Sequence, residues 1–345
     1  LGVDAITHRL ATLGASLVAH LHSPHREADL SATLAAVADA ELILILTASA
    51  TSDPQDVAPA AVRRTGGVVE RFGMPVDPGN LLFLGKPKYA ASKDVRRLQQ
   101  QYRNLRTAIW WGDVRAEIPP TLADVLRCCD LVLPVHTGLF DALKAAGAAR
   151  LAFWPLSAPS FYDWHVRPDP AMEASVAFVG NRWTAHQGHD DRLAMLKAVD
   201  EPFDLAVWGR GWETAGLKRL CGYAALEDAC RAIRSAQLLL GIQHYGDVAL
   251  SQSQRTWNTL ACGRCLLNRY VPDLELLFRD RTHMVFWRST DELVDLVRHY
   301  LSHATERNTI AASGHHYFTN HHTYDHRIAS LAVYLDGRHE RTPWE

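Results

Sequence analysis

Short apolar runs alternate with helical patterns along most of this chain, the rhythm of βαβ units around a parallel sheet. Residues 41–46, Glu-Leu-Ile-Leu-Ile-Leu, read as a buried strand. A helix over 54–65 follows, opened by Ser52 or Asp53 and stopped at Gly66-Gly67, and then a strand over 68–72. A turn-rich loop over 73–79 leads to the apolar stretch 81–84, after which 86–97 is basic and helical. Strands over 107–111, 131–135 and 149–154 each end in a polar or glycine-bearing loop before the next helix. Residues 157–173, with Pro159, Pro168 and Pro170, read as a linker. A second series then begins, with strands over 175–179, 204–208, 237–241, 264–268 and 284–287 and helices over 190–199, 225–235, 254–262 and 291–301.

This pattern predicts an α/β protein with parallel sheets in two Rossmann-like domains, 1–157 and 158–345. The length of 345 residues, 48% hydrophobic and 21% charged, agrees with two ordinary cores. With 36 basic against 38 acidic residues and no basic block, nothing gathers nucleic acid or a membrane surface. The longest apolar run is too short to span a bilayer, and the start at Leu1 has no leader pattern, so the expectation is a cytoplasmic protein with no transmembrane segment. The six cysteines read as reduced thiols, with Cys262 and Cys265 at CxxC spacing in a helix-to-strand turn.

In open α/β sheets ligands gather at the carboxyl ends of strands. Three segments there carry candidate chemistry. Gly180, Asn181 and Arg182 follow one strand, where glycine lets backbone N–H groups approach a ligand and arginine adds charge. Gly209, Arg210 and Gly211 follow the next, beside Trp212. Ser253 opens a helix whose free N–H groups attract phosphate, and Arg255 presents a planar fork suited to a diphosphate. Each of these also has a plain structural reading as a permissive turn or a capped helix.

Taken in order, Phe178-Val-Gly-Asn-Arg182, Val207-Trp-Gly-Arg-Gly-Trp212, Ser253-Gln-Arg-Thr-Trp-Asn-Thr-Leu-Ala-Cys-Gly263, Tyr270-Val-Pro-Asp-Leu-Glu-Leu-Leu-Phe278 and His321-His-Thr-Tyr-Asp-His-Arg327 resemble the spore-maturation CgeB-type glycosyltransferases, over about 86–335. The resemblance implies a GT-B fold, two Rossmann-like domains facing across a cleft, with the nucleotide-sugar in the second and an acceptor at the first. It makes Gly180, Asn181, Arg182, Gly209, Arg210, Gly211, Ser253, Arg255, Thr256 and Asn258 donor-site candidates, with Glu275 a weaker one. Asn258 stands where larger relatives place a glutamate on ribose hydroxyls. If the reaction inverts the anomeric centre, Asp113, Glu117 and His136 at strand ends of the first domain are the candidate bases. The resemblance implies neither cofactor nor metal, with a nucleotide-diphosphate-sugar as substrate. Accordingly His315, His316, His321, His322 and His326 are read as structural.

Residues 2–85 resemble something else. Ala48-Ser-Ala-Thr-Ser-Asp-Pro-Gln-Asp56, Gly66-Gly67 and Phe72-Gly-Met-Pro-Val-Asp-Pro-Gly-Asn80 are similar to part of a molybdopterin-binding domain, with Asp53, Asp56 and Asp77 its polar residues. The expectation is a junction near Gly85, the fragment supplying first strands to the domain that continues over 86–157. The alternative functions are then a molybdopterin-binding module or an inactive nucleotide-binding protein.

Overall fold

In the computed structural model residues 81–85, 96, 99–100, 106–111, 118, 120–158, 162–182, 189–224, 227–243, 245–323 and 326–327 are described. The expected strands over 41–46 and 68–72 and the helix over 54–65 lie outside them. Two compact units emerge: Leu1–Pro155 with Ser330–Thr342, and Leu156–Ala329 with Pro343–Glu345.

The first unit contains a parallel sheet in the order β1 (Leu81–Gly85), β2 (Arg106–Trp111), β3 (Leu131–Pro134). The expected pairing of 81–84 with 107–111 is present, with Phe83 opposite Ala108. Helices α1 (Pro120–Leu126) and α2 (Phe140–Ala145) flank β3 in sequence. The anticipated strand over 149–154 is reduced to one bridge, Val132 with Leu151. Ala108, Ile109, Val132 and Leu133 are wholly buried, and the Trp110 and Trp154 rings meet edge to face at 5.8 Å.

The second unit is a six-stranded parallel sheet. Its strands are β4 (Ala174–Val179), β5 (Leu205–Trp208), β6 (Leu220–Gly222), β7 (Ala236–Gly241), β8 (Cys265–Arg269) and β9 (Val285–Trp287), in the spatial order β6-β5-β4-β7-β8-β9. The chain works outward from β4 to β6, then returns to the far side of β4 to lay down β7. That reversal puts a topological switch point between β4 and β7, where open α/β sheets form a crevice outside their strand ends. β7 and β8 read as near-continuous apolar runs because a parallel sheet is covered on both faces.

Helices α3 (His189–Asp200), α4 (Glu227–Ser235), α5 (Gln254–Ala261), α6 (Leu274–Leu277), α7 (Thr290–Ser302) and α8 (Ala304–His321) complete the unit. Val176, Phe178, Leu238, Leu240, Leu267 and Val285 of the sheet pack with Met195 and Val199 of α3 and Leu293, Val297 and Tyr300 of α7. The long helix α8 and the short strand β6 escaped the sequence reading: α8 is polar along much of its length, and β6 has only three residues.

Helix α7 starts on a recognisable signal. Ser289 accepts at Oγ from the Glu292 amide at 3.2 Å, and the Glu292 carboxylate accepts from the Arg288 amide at 2.7 Å. Ser289→Ala is expected to lower stability by about 1 kcal/mol. Urea unfolding followed by circular dichroism checks the value, and an unchanged midpoint contradicts the cap.

Candidate functional site

The strand ends at the switch point carry the groups that the sequence singled out. Gly180 N–H donates to the Trp208 carbonyl at 2.8 Å, and Arg182 N–H to the Arg210 carbonyl at 2.9 Å. Asn181 Oδ1 accepts from the Arg210 amide at 2.9 Å, and Trp212 Nε1 donates to the Gly180 carbonyl at 2.8 Å. The loops after β4 and β5 are therefore one interlocked unit. The Asn181 side chain is committed to holding it together. Gly209 (φ +147°) and Gly211 (φ +82°) adopt backbone conformations that side chains disfavour, and a Cβ on Gly209 would overlap the Gly180 carbonyl oxygen.

Arg255 reaches into the switch point from the first turn of α5. Its Nε donates to the Val179 carbonyl at 2.7 Å and its Nη1 to the Ile242 carbonyl at 3.2 Å, so one guanidinium bridges the ends of β4 and β7. Its Cζ lies 4.1 Å from the Phe178 ring centroid, and Nη2 lies against Gly180, where a Cβ would overlap it. Only 8% of Arg255 is exposed, and no carboxylate among the described residues pairs with it. Burial, together with the neighbouring Arg192, pushes its pKa well below the usual guanidinium value. A buried cation held only by neutral groups is incompletely compensated, which makes this a place where an anion would be stabilised.

Sequence reading missed Arg192. It is 4% exposed, donates from Nη1 to the Asn181 carbonyl at 2.9 Å and lies 5.7 Å from the Phe178 ring, and burial pulls its pKa down to about 10. The available signal was its place on the stripe Arg192, Met195, Leu196, Val199, a charge on an otherwise apolar helical face.

The remaining candidates divide. Ser253 stands at the N-cap of α5 without the side-chain cap bond that the sequence suggested; its Oγ instead lies 3.5 Å from Arg255 Nη1. Thr256 is buried with its Oγ1 lacking a hydrogen-bond partner among the described residues, and Asn258, 8% exposed, accepts at Oδ1 from Gln254 Nε2 at 3.1 Å. Arg182 keeps a buried Nε without a partner among the described residues, while Arg210 is exposed with its Cζ 4.3 Å from the Tyr223 ring centroid. Glu275 is exposed, accepts from Tyr270 Oη at 3.2 Å, and lines a separate cavity of about 370 Å³ with Arg279, His283, Tyr317 and His321. None of the loop arginines lines that cavity.

Of the candidate bases, Asp113 and Glu117 lie outside the described residues, as do Asp53, Asp56 and Asp77 of the molybdopterin-like segment. His136, just after β3, is wholly buried, neither ring nitrogen has a hydrogen-bond partner among the described residues, and burial lowers its pKa to about 4. The unfolded chain, with an ordinary histidine pKa near 6.5, binds the proton more readily, so stability is complete above about pH 6.5 and falls as pH drops toward 4. The loss is on the order of 3 kcal/mol. Melting temperature followed from pH 7 to 4 should decline less steeply in His136→Leu than in the parent; equal slopes contradict this account.

The histidine-rich segment diverges. His315 Nδ1 lies 3.1 Å from the Leu260 carbonyl, His316 meets Asn320, and His322 is buried with its ring centroid 5.0 Å from that of Trp257. In the CxxC turn, Cys262 Sγ lies 3.3 Å from Cys230 Sγ, while Cys265 packs into the core from β8. No helix among the described residues is long and apolar enough to cross a membrane.

Comparisons with known proteins bear on the fold and on the sequence of the second unit. Residues 192–332 match the family model described as glycosyl transferase-like. No curated protein sequence matches the chain. Among solved structures, a glycosyltransferase from Rickettsia africae superposes with a TM-score of 0.65 at 10% identity, covering 97% of this chain and 93% of that one. HepE of Anabaena, solved with UDP and glucose, gives 0.63 at 11% identity, covering 97% and 95%. Sucrose-phosphate synthase of Thermosynechococcus elongatus gives 0.61 at 11% identity, covering 89% and 92%. The chain thus has the α/β fold of the GT-B glycosyltransferases, built on parallel sheets, and its residues 192–332 are glycosyl transferase-like in sequence.

Proposed function

We propose that this protein is a glycosyltransferase of the CgeB type, moving a sugar, a hexose in our reading, from a nucleotide-diphosphate donor to an acceptor. The observation that carries the reading is Arg255, a buried guanidinium at the switch point, bridging β4 and β7 and lacking a carboxylate partner among the described residues. The glycosyl transferase-like match over 192–332 spans that residue, and the solved HepE, similar in fold, holds UDP.

In this reading the donor diphosphate lies at the start of α5. Arg255, with Arg192 nearby and Arg182 on the loop after β4, offsets the charge that grows on the leaving phosphate as the glycosidic bond breaks. Thr256, with its buried unpartnered hydroxyl, supplies a further donor. For an inverting reaction Asp113 and Glu117 are our candidates to accept the acceptor's hydroxyl proton, because the ring of His136 is wholly buried and its lowered pKa makes it a weak base.

Calorimetric titration of the full chain with UDP, GDP, ADP and dTDP tests the reading. At least one should bind, and at 100 times its dissociation constant it should stabilise the protein by about 2.7 kcal/mol. Because side chains supply the positive charge here, 5 mM EDTA should leave that affinity unchanged within about twofold, as a loss of one hydrogen bond or less. Failure of all four nucleotides to bind sinks the proposal; loss of binding in EDTA sinks its metal-free form.

A further inference from the structure

The CxxC spacing of Cys262 and Cys265 invites a bond between those two, and the fold separates them. Cys265 lies on β8, in the core that the sheet shares with α3 and α7. Cys262 is the C-cap of α5, and its Sγ instead lies 3.3 Å from Sγ of Cys230 on α4, 32 residues away in sequence. Both residues are wholly buried.

Two hydrogen bonds keep the sulfurs facing each other. Arg234, one turn beyond Cys230 on α4, donates from Nη1 to the Cys262 carbonyl at 2.7 Å, and Arg264 Nη2 donates back to the Arg234 carbonyl. Together they clamp α4 to the turn after α5. A disulfide has an S–S length of about 2.0 Å, so the two atoms need approach by only about 1.3 Å to bond. Cys230 S–H is directed to the Asp163 carbonyl at 3.5 Å, which leaves the Cys262 S–H as the donor between the sulfurs. That bond holds the Cys230 thiol below its usual pKa, while burial pushes Cys262 up. Cys230 is therefore the readier nucleophile.

The segment 162–167, which has neither helix nor strand, lies against this pair. Its Asp163 carbonyl faces Cys230, its Val166 carbonyl accepts from Arg234 Nε at 3.1 Å, and the Trp164 ring, 48% exposed, lies 5.1 Å from that of His315 on α8.

We propose that Cys230 and Cys262 form a reversible disulfide, a modification site for hydrogen peroxide admitted when the 162–167 segment opens. The Cys230 thiolate attacks one peroxide oxygen, the O–O bond breaks, and the departing hydroxide takes the proton that Cys230 had released, becoming water. Cys262 then attacks the sulfur of the resulting sulfenic acid; the S–O bond breaks and the hydroxide leaves with the Cys262 proton as a second water. Two thiols lose two electrons, and one peroxide is reduced to two waters. A small dithiol reverses the bond by exchange. The site is independent of the nucleotide-sugar reading.

The test treats the folded full chain with hydrogen peroxide, alkylates the remaining thiols and maps the digest by mass spectrometry. A peptide pair joined through Cys230 and Cys262 is expected, lighter by about 2 Da for the two hydrogens lost and absent after dithiothreitol. Cys265→Ser should form the same link. A bond between Cys262 and Cys265, sulfinic acid at Cys230 without a link, or two unmodified thiols overturns the proposal. The rate tests the route of access, because a buried thiol reacts through its opened population. Trp164→Ala removes the ring contact with His315 and should speed formation of the link about two- to tenfold, the effect of one aromatic pair on that population. An unchanged rate in a folded Trp164→Ala protein overturns the role of the 162–167 segment.

Discussion

Replacing Arg255 with methionine should weaken binding of the proposed nucleotide diphosphate 10- to 100-fold. A charge-assisted contact to phosphate contributes about 1.5–3 kcal/mol, and this guanidinium is buried, so little water screens it. Methionine keeps most of the volume and removes the charge. Two effects on folding oppose each other: the bonds to the Val179 and Ile242 carbonyls disappear, and so does the cost of burying a cation without a carboxylate. The affinity loss should therefore exceed any loss of stability. Titration with whichever of the four nucleotides binds the parent, beside a thermal melt, separates the two, and parent-like affinity in a folded Arg255→Met protein removes Arg255 from the site.

Gly209→Ala should cost on the order of 3 kcal/mol of stability, among the larger effects expected of a single small substitution. The residue sits at φ +147°, and the added Cβ would overlap the Gly180 carbonyl oxygen, a backbone atom that the Trp212 indole holds in place. Backbone has no rotamer by which to move aside, so the loops after β4 and β5 must part. Because Gly180 also abuts Arg255, nucleotide affinity should fall with stability. Gly216→Ala is the control: its φ is +69°, nothing lies within 4 Å of the added Cβ, and only the left-handed backbone penalty of about 1 kcal/mol applies. Equal costs for the two substitutions in urea unfolding would dismiss the interlocked-loop account.

Strand positions were legible where burial on both faces imposes a continuous apolar run, as in β7 and β8, and where glycine marks the strand's end, as at Gly180 and Gly209. The helix over 254–262 was legible too, but its chemistry was only half so. Ser253 has the residue type of a cap and makes no such bond with its side chain. Arg255 has the residue type of a phosphate ligand, and the sequence does not reveal that it is buried across two strand ends. Glu275 follows β8 as expected but lines a cavity that none of the loop arginines lines.

The division has a physical cause. Periodicity and turn chemistry are local: they depend on which face of a helix or strand meets the core, and on which residues tolerate positive φ. From these alone came the alternation of strands and helices, the parallel sheets and the strand-end loops as places for a ligand. Sheet order is not local. β4 and β7 are neighbours although β5 and β6 intervene in the chain, and only that adjacency creates the crevice that Arg255 occupies. The same holds for Ser157 and Gln254, 97 residues apart, whose contact orients the Gln254 amide against Asn258. The sequence determined which chemical groups stand at the strand ends; tertiary structure decided which of them are desolvated, which satisfy one another, and which are left for a ligand, because burial and hydrogen-bond partnership arise between segments that the chain order does not bring together.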